Sequence, residues 1–278
     1  MPNAIARTED IELRLLLEAI FLKYHYDFRH YALASIKRRL TQARDRFGCR
    51  SFSQLQDMVL NEAGMMDELL GYLTVQVSEL FRDPAYFRAI REKVVPHLLT
   101  YPSLKVWIAG CSTGEELYSF AILFREEGLE DRTLFYATDI NGDSLRKAEM
   151  GVYALDRMKL FTENHRLSGG KSSLSDYYTA GYGAATFDKS LRKRTVFSDH
   201  SLVTDAVFAE TQFVSCRNVL IYFTKDLQTR AIGLFKDSLT RNGFLGLGAK
   251  ETLRFSPHAD EFTEFSRDER LYQKRGGI

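Results

Sequence analysis

The sequence predicts an all-α segment followed by an α/β segment built on a mostly parallel, doubly wound sheet. Three observations carry this. Up to residue 95 apolar residues recur at helical spacing and nothing reads as a strand, whereas from residue 104 short apolar runs alternate with helical stretches. Such alternation feeds parallel strand pairing. The chain is also long enough, at 278 residues, to bury two separate cores.

Taken in order, residues 10–23 set Leu13, Leu16, Leu17 and Ile20 on one face at i, i+3, i+4, i+7. "YALASIKRRLTQARDRF" (31–47) is a second helix ended by Gly48, 53–61 and 65–74 are two more, and Pro84 opens another that runs to Val95. Strands are expected in "LKVWIAG" (104–110), "TLFYATDI" (133–140), "TQFVSCRNVLIYF" (211–223) and "GFLGLGA" (243–249), with helices over 115–127, 142–149 and 225–240. Between 168 and 200 the chain turns polar and Gly/Ser-rich, yet its tyrosine clusters and the alternating "TVFS" favour a small β-rich insert. The expected division is a helical domain over 1–95 and an α/β domain over 96–278 interrupted by that insert.

Composition excludes several classes. Hydrophobic content of 45% and charged content of 27% are those of an ordinary globular chain. No stretch reaches the roughly 18 apolar residues of a membrane span, so no membrane insertion is expected. The opening "MPNAIARTED" carries acids early, unlike a secretory leader. Cys49, Cys111 and Cys216 are widely spaced, which suggests reduced thiols in a cytoplasmic protein and no zinc site. Net charge of +1 argues against a general nucleic-acid binder. Residues 27–50, however, hold seven basic side chains against two acids. There Lys37/Arg44 and Arg39/Arg46 recur at i, i+7, each pair on one helix face, and an acidic partner is expected; no aromatic platform for stacking RNA bases accompanies them.

The stretch "VWIAGCSTGEELYSFAILF" (106–124) joins a strand to a helix through Gly110 and Gly114, as a nucleotide-binding turn does. Leu117, Phe120, Ala121 and Phe124 mark the helix. Its first turn holds Glu115 and Glu116, which favour the helix dipole themselves and would repel a pyrophosphate. A cationic nucleoside suits the turn better, and S-adenosylmethionine (SAM) has a sulfonium, an ammonium and no phosphate. Asp139 ends the second strand, 25 residues after Gly114, where doubly wound folds place an acid that accepts from ribose hydroxyls.

Three further stretches, in order, resemble the CheR-type chemotaxis receptor methyltransferases: "TVQVSELFRDPAYF" (74–87), "AGCSTGEELYSFA" (109–121) and "SCRNVLIYF" (215–223). "ATDIN" (137–141), "AEMGVY" (148–153) and "LGAKETL" (247–253) are also similar to that family, and the likeness spans residues 10–276. The resemblance implies an all-α N-terminal domain and a Rossmann-like class I methyltransferase domain with a small antiparallel β subdomain inserted. It also implies methyl transfer from SAM, released as S-adenosyl-L-homocysteine, to glutamate carboxylates on the cytoplasmic domain of a methyl-accepting chemoreceptor. Carried over by motif, Gln76, Ser78 and Arg82 would contact the cofactor, Glu116 (or Glu115) its methionine portion and Asp139 its ribose. Ser201 and Leu202 would border the adenine, and Arg217 with Asn218 would close the pocket. Arg82, Arg217 and Tyr222 would surround the transferable methyl. Gln76, Ser78 and Ser201 stand where the family usually has Asn, Thr and Asn; Thr211-Gln212 replaces Phe-Asp and Leu117 replaces Pro.

The chemistry this implies is modest in its demands. A glutamate of pKa about 4.3 is already ionised at pH 7, so no strong base is required. The work is positioning and desolvation of the carboxylate, for which two arginines and a tyrosine hydroxyl are suited. No metal is implied, and a monomer is expected, docked on its receptor through Lys37, Arg39, Arg44 and Arg46. The alternatives are a methyltransferase with another acceptor and a non-catalytic SAM-binding adaptor.

Overall fold

A computed structural model describes residues 7–74 and 78–276. Its chain contacts divide into two units, one of residues 1–75 with 222–228, the other of 76–221 with 229–278. The first unit contains helices α1 (Thr8–Tyr24), α2 (Leu33–Arg46), α3 (Phe52–Asn61) and α4 (Met65–Leu73). The predicted stripe Leu13, Leu16, Leu17, Ile20 is buried, with α1 packed on α3 and α2 on α4. Ser51 caps α3 by accepting the Gln54 N–H at 3.2 Å.

Of the basic residues of α2 expected to dock a partner, Arg39 is corrected: it turns inward, whereas Lys37 and Arg44 stay partly exposed in ion pairs. Arg39 is only 5% exposed. Its guanidinium donates to the Leu73 carbonyl at 2.5 Å and lies 4.4 Å from the centre of the Tyr222 ring. A cation satisfying the last-turn carbonyl of α4 explains why Arg39 turns inward while Arg46, two turns on, stays exposed. Lys37 pairs with Glu9 and Asp10 at 2.8 and 2.7 Å. Arg44 pairs with Glu9 and Asp45 at 3.4 and 2.8 Å.

In the second unit a seven-stranded sheet runs in the order β6-β2-β1-β7-β8-β10-β9. Its strands are β1 (Leu104–Ala109), β2 (Thr133–Asp139), β6 (Thr195–Asp199), β7 (Thr211–Cys216), β8 (Leu239–Leu247), β9 (Phe262–Ser266) and β10 (Leu271–Lys274). β1 is parallel to β2 and β7, with Ile108 opposite Ala137 on one side and Ser215 on the other. β10 runs antiparallel to both β8 and β9. Val106, Trp107, Ile108 and Ala109 are all buried, as a central strand covered on both faces requires. Strand order reverses between β1 and β7, and ligands of such sheets bind outside the carboxyl ends at that point.

α5 (Pro84–Ala89), a π turn (Ile90–Val94) and α6 (Val95–Leu98) run in sequence. Pro96 has no N–H to give Glu92, which accounts for the widened turn. α7 (Glu115–Glu126) is buried from Leu117 through Phe124 rather than along one stripe. Phe120 meets Phe87 and Phe213, Phe124 meets Phe135, and Tyr118 meets Phe187. α8 (Gly142–Met150), α9 (Met158–Leu167) and α10 (Lys225–Ser238) complete the helices.

The antiparallel subdomain exists but with other limits. β3 (Val152–Ala154), β4 (Tyr178–Gly181) and β5 (Ala184–Phe187) pair in the order β3-β5-β4. The sheet thus starts before residue 168, and the "TVFS" strand joins the main sheet beside β2 instead. β7 stops at Cys216 because Asn218 takes a left-handed φ of 61°. α9, β9 and β10 lie outside the elements the periodicity predicts.

One buried ionic cluster ties this unit together. Glu126 accepts from Arg91 at 2.5 Å and lies 3.0 Å from His165 Nε2, and Arg91 also pairs with Glu127 at 2.9 Å. Burial alone would raise the Glu126 carboxyl, but the His165 hydrogen bond and the Arg91 charge outweigh it and hold it at about 2. A depressed carboxyl contributes stability that is present above its usual 4.5 and lost as pH falls toward 2. Glu126→Gln is expected to cost roughly 3 kcal/mol at pH 7, the low end for a broken buried pair because Arg91 keeps Glu127. It should also flatten the acid limb of stability between about pH 4.5 and 2. Denaturant unfolding across that range checks both.

Candidate active site

The site is built first from backbone. After β1 the chain turns through Gly110 (φ 71°), Ser112 (φ 50°) and Gly114 (φ 92°) into α7. A Cβ on Gly110 would sit 2.6 Å from Val219 Cγ2, and one on Gly114 would sit 2.8 Å from the Ala148 Cβ. Both glycines are therefore sterically required. Asp139 braces this turn: one carboxylate oxygen accepts the Ser112 N–H at 2.9 Å and the other the Asn141 N–H at 2.9 Å. Burial pushes the Asp139 carboxyl up, against those N–H bonds, which pull it down. Each oxygen keeps a lone pair for a further donor. Ser112 Oγ is buried with no partner among the described residues.

The two glutamates of α7 have different surroundings. Glu115 is fully buried and accepts from Thr113 Oγ1 at 2.7 Å and Arg157 at 2.8 Å. Arg157 also donates to the Ser78 carbonyl, so Glu115 indirectly fixes the segment entering this unit. Glu116 accepts from Ser215 Oγ at 2.6 Å and from Arg217 at 3.1 Å, with its side chain 15% exposed.

Arg217 is the hub of the second half. Its buried guanidinium donates to Glu116, to Asp83 at 2.7 Å and to the Arg82 carbonyl at 2.9 Å, and lies 4.0 Å from the centre of the Tyr86 ring. Burial works against its charge, but Glu116 leads the groups that raise it overall. It thereby locks the "FRD" turn, α7 and the end of β7 into one arrangement. Its Nε is buried with no partner among the described residues. Tyr86 in turn hydrogen-bonds Ser215 at 3.0 Å, and a Cβ on Gly246 would sit 2.0 Å from the Tyr86 hydroxyl oxygen.

Glu251 is the residue that sequence reasoning missed. Its carboxylate accepts N–H groups from Gly248 at 2.7 Å, Asn218 at 3.0 Å and Ile221 at 3.2 Å. It holds Asn218 in its left-handed conformation and clasps the end of β8 to the turn after β7. Burial raises the Glu251 carboxyl, opposed by these N–H bonds. The available signal was a lone acid three positions after a glycine within an apolar run, "LGAKETL".

The other expected residues are placed as follows. The Ser201 hydroxyl accepts from the Val203 and Thr204 N–H groups at 3.3 Å, and Leu202 beside it is buried. Gln76 lies outside the described residues. Tyr222 belongs to the first unit, where its ring holds Arg39. Burial first, then the charges of Asp139, Glu116 and Glu115, push the Cys111 thiol well up, so the turn is surrounded by carboxylates. Arg157 and Arg217 are already engaged by acids, which leaves the turn suited to a cation and hostile to a phosphate. SAM would fit these groups: Asp139 can accept from ribose hydroxyls, the Glu116 carboxylate would suit an ammonium, and the unpartnered Ser112 Oγ would offer a further contact. Among the described residues no group of three or more His, Cys, Asp or Glu is placed to hold a metal. Nor, among the described residues, is any helix long and apolar enough to cross a membrane.

Strand order, glycine turn and strand-end acid together define a class I SAM-dependent methyltransferase domain. Residues 76–269 match the family described as "CheR methyltransferase, SAM binding domain", and residues 11–74 match "CheR methyltransferase, all-alpha domain". The chain belongs to the CheR methyltransferase family. It is 58% identical to a Pseudomonas putida protein carrying the methyltransferase name Cher3, over 96% of this chain and 98% of that one. It is 30% identical to the chemotaxis protein methyltransferase of Listeria innocua, over 82% and 84% of the two chains. With chemotaxis protein methyltransferase 1 of Pseudomonas aeruginosa the identity is 27%, over 80% and 83%.

Asp139→Ala is expected to weaken binding of SAM or of its demethylated product by about 1.5–3 kcal/mol, the usual worth of hydrogen bonds to a charged acceptor. Calorimetry on a variant whose unfolding midpoint matches the parent checks this, and an unchanged affinity would take Asp139 out of the site.

Proposed function

We propose that the protein transfers a methyl group from SAM to glutamate side chains on the cytoplasmic helices of a chemoreceptor, forming methyl esters in the cytoplasm as a monomer. The observation that carries this reading is the match, along both family domains in order, to proteins named chemotaxis protein methyltransferase. The site chemistry supports it, because nothing in the arrangement demands a proton-abstracting base.

Bound SAM supplies an electrophilic methyl on a sulfonium. The protein's own part is to place an ionised carboxylate in line with that methyl and to keep water from solvating it. Arg217 is too heavily engaged to clamp an acceptor. Glu116, Asp83 and the Arg82 carbonyl engage both its terminal nitrogens, which leaves Nε and one N–H of Nη1 for a bound group. Its role is to position the turn that carries Arg82. The Arg82 side chain is then the cation assigned to orient the acceptor, by a charge-assisted hydrogen bond. Asn218, held by Glu251, and Leu202 complete the proposed pocket.

The test is incorporation of labelled methyl into receptor cytoplasmic fragments, with base-labile counts as the mark of an ester. Arg82→Ala should lower turnover by about 10²-fold, the scale of a misplaced reactant, while the protein stays folded, since Arg82 is not part of the core. Near-normal turnover in the variant would refute the role of Arg82. SAM binding without base-labile counts from the parent protein would favour an adaptor instead.

A further inference from the structure

The loop after β8 carries a feature that the methyl-transfer site does not use. β8 ends at Leu247, at the same end of the parallel sheet as β1 and β7. Two side chains of the following segment point inward, Glu251 (4% exposed) and Leu253 (2%). The Ser256 N–H then donates to the Leu253 carbonyl at 2.9 Å, closing a turn with Arg254 and Phe255 at its two central positions. Phe255 is 87% exposed, and Arg254 and Lys250 are exposed beside it.

Folding does not explain this display. Burying a Phe side chain ordinarily gains about 1.5–3 kcal/mol, yet this one stands in solvent between well-anchored neighbours. The segment 249–257 exposes two cations and no acid, because its one carboxylate, Glu251, is buried against backbone N–H groups. Beyond it Asp260 and Glu261 are exposed, Glu261 paired with Lys236 at 3.3 Å, and in the 267–270 turn, where Arg270 donates to the Ala249 carbonyl at 3.4 Å, Asp268 and Glu269 are flanked by Arg267 and Arg270. Arginine is among the types that dominate binding energy at interfaces, and Phe is among those enriched there. The loop is also fixed relative to the site, since Glu251 holds the backbone of Asn218, next to Arg217.

We propose that Arg254 and Phe255 are an acceptor-docking prong that recognises an acidic amphipathic helix, the one bearing the glutamate to be methylated. Phe255 enters the apolar stripe of that helix while Arg254 and Lys250 meet its acids. This rests on the methyl-transfer reading given above and names how the same site selects its acceptor. A partner with exposed carboxylates on a helix is complementary in charge; a nucleic acid, which offers phosphates in place of an apolar stripe, would leave Phe255 unused.

The experiment compares the parent protein, Phe255→Ala and Arg254→Glu in initial rates of methyl transfer to receptor cytoplasmic fragments at two ionic strengths, with SAM affinity measured separately by calorimetry. Expected are a rise in KM of at least fivefold for each variant, unchanged SAM affinity, and an effect that shrinks with salt for Arg254→Glu but not for Phe255→Ala. KM values within twofold of the parent in both variants would overturn the prong while leaving methyl transfer intact. An equal loss of SAM affinity would also overturn it, by assigning the loop to the cofactor pocket. A parent protein that places no base-labile methyl on the fragments overturns the underlying reading, and the acceptor helix with it.

Discussion

The arrangement of the second unit's site depends on one buried cation. Arg217, its side chain 1% exposed, would be costly to desolvate alone. It is sustained by two carboxylates, one backbone carbonyl and the face of Tyr86, drawn from the "FRD" turn, α5 and α7. A lysine would not serve, because a point charge cannot present forked donors to Glu116 and Asp83 while stacking flat on a ring. Removing either carboxylate would leave the buried charge with only half of its acidic partners, so these motifs, far apart in sequence, are energetically coupled.

Two carboxylates, one half-buried and one buried, do comparable work on backbone. Asp139 gathers the N–H groups of Ser112 and Asn141, and Glu251 gathers those of Gly248, Asn218 and Ile221. In each case an acid at the carboxyl end of a parallel strand organises the turn that follows a neighbouring strand, and with it a residue of positive φ, Ser112 or Asn218. Burial raises both carboxyls, and the N–H groups of the turns they organise oppose that rise.

Much of this was legible in the sequence, for identifiable reasons. Apolar spacing in α1, the uninterrupted run of β1 and the Gly110–Gly114 turn are local signals, and local signals survive without coordinates. Tertiary competition accounts for the rest. Arg39 and Arg46 share a helix face by spacing, but α4 offers a free carbonyl to the first and nothing to the second. "TVFS" reads as a strand either in an insert or in the main sheet, and only pairing with β2 decides. β9 and β10 are short, polar strands whose burial depends on β8. Glu251 escaped notice because its partners are backbone N–H groups, which leave no residue-type signature.

The charge count around the turn constrains what the rest of the protein must supply. Asp83, Glu115, Glu116 and Asp139 place four carboxylates there against the guanidinium groups of Arg157 and Arg217, which favours a cationic ligand and opposes an incoming carboxylate. The acidic acceptor proposed above would therefore need cations outside that set. Arg82 is the nearest in sequence, leaving the "FRD" turn with a side chain that is not part of the Arg217 network. Lys37, Arg39 and Arg44 are already engaged within the first unit. The exposed Arg254 and Lys250 are not so engaged, and they ride on a loop that Glu251 fixes to the site itself. With a binding turn tuned to a cation, the proposed anionic acceptor would be met by positive charge held at the edge, where attraction acts before desolvation is required.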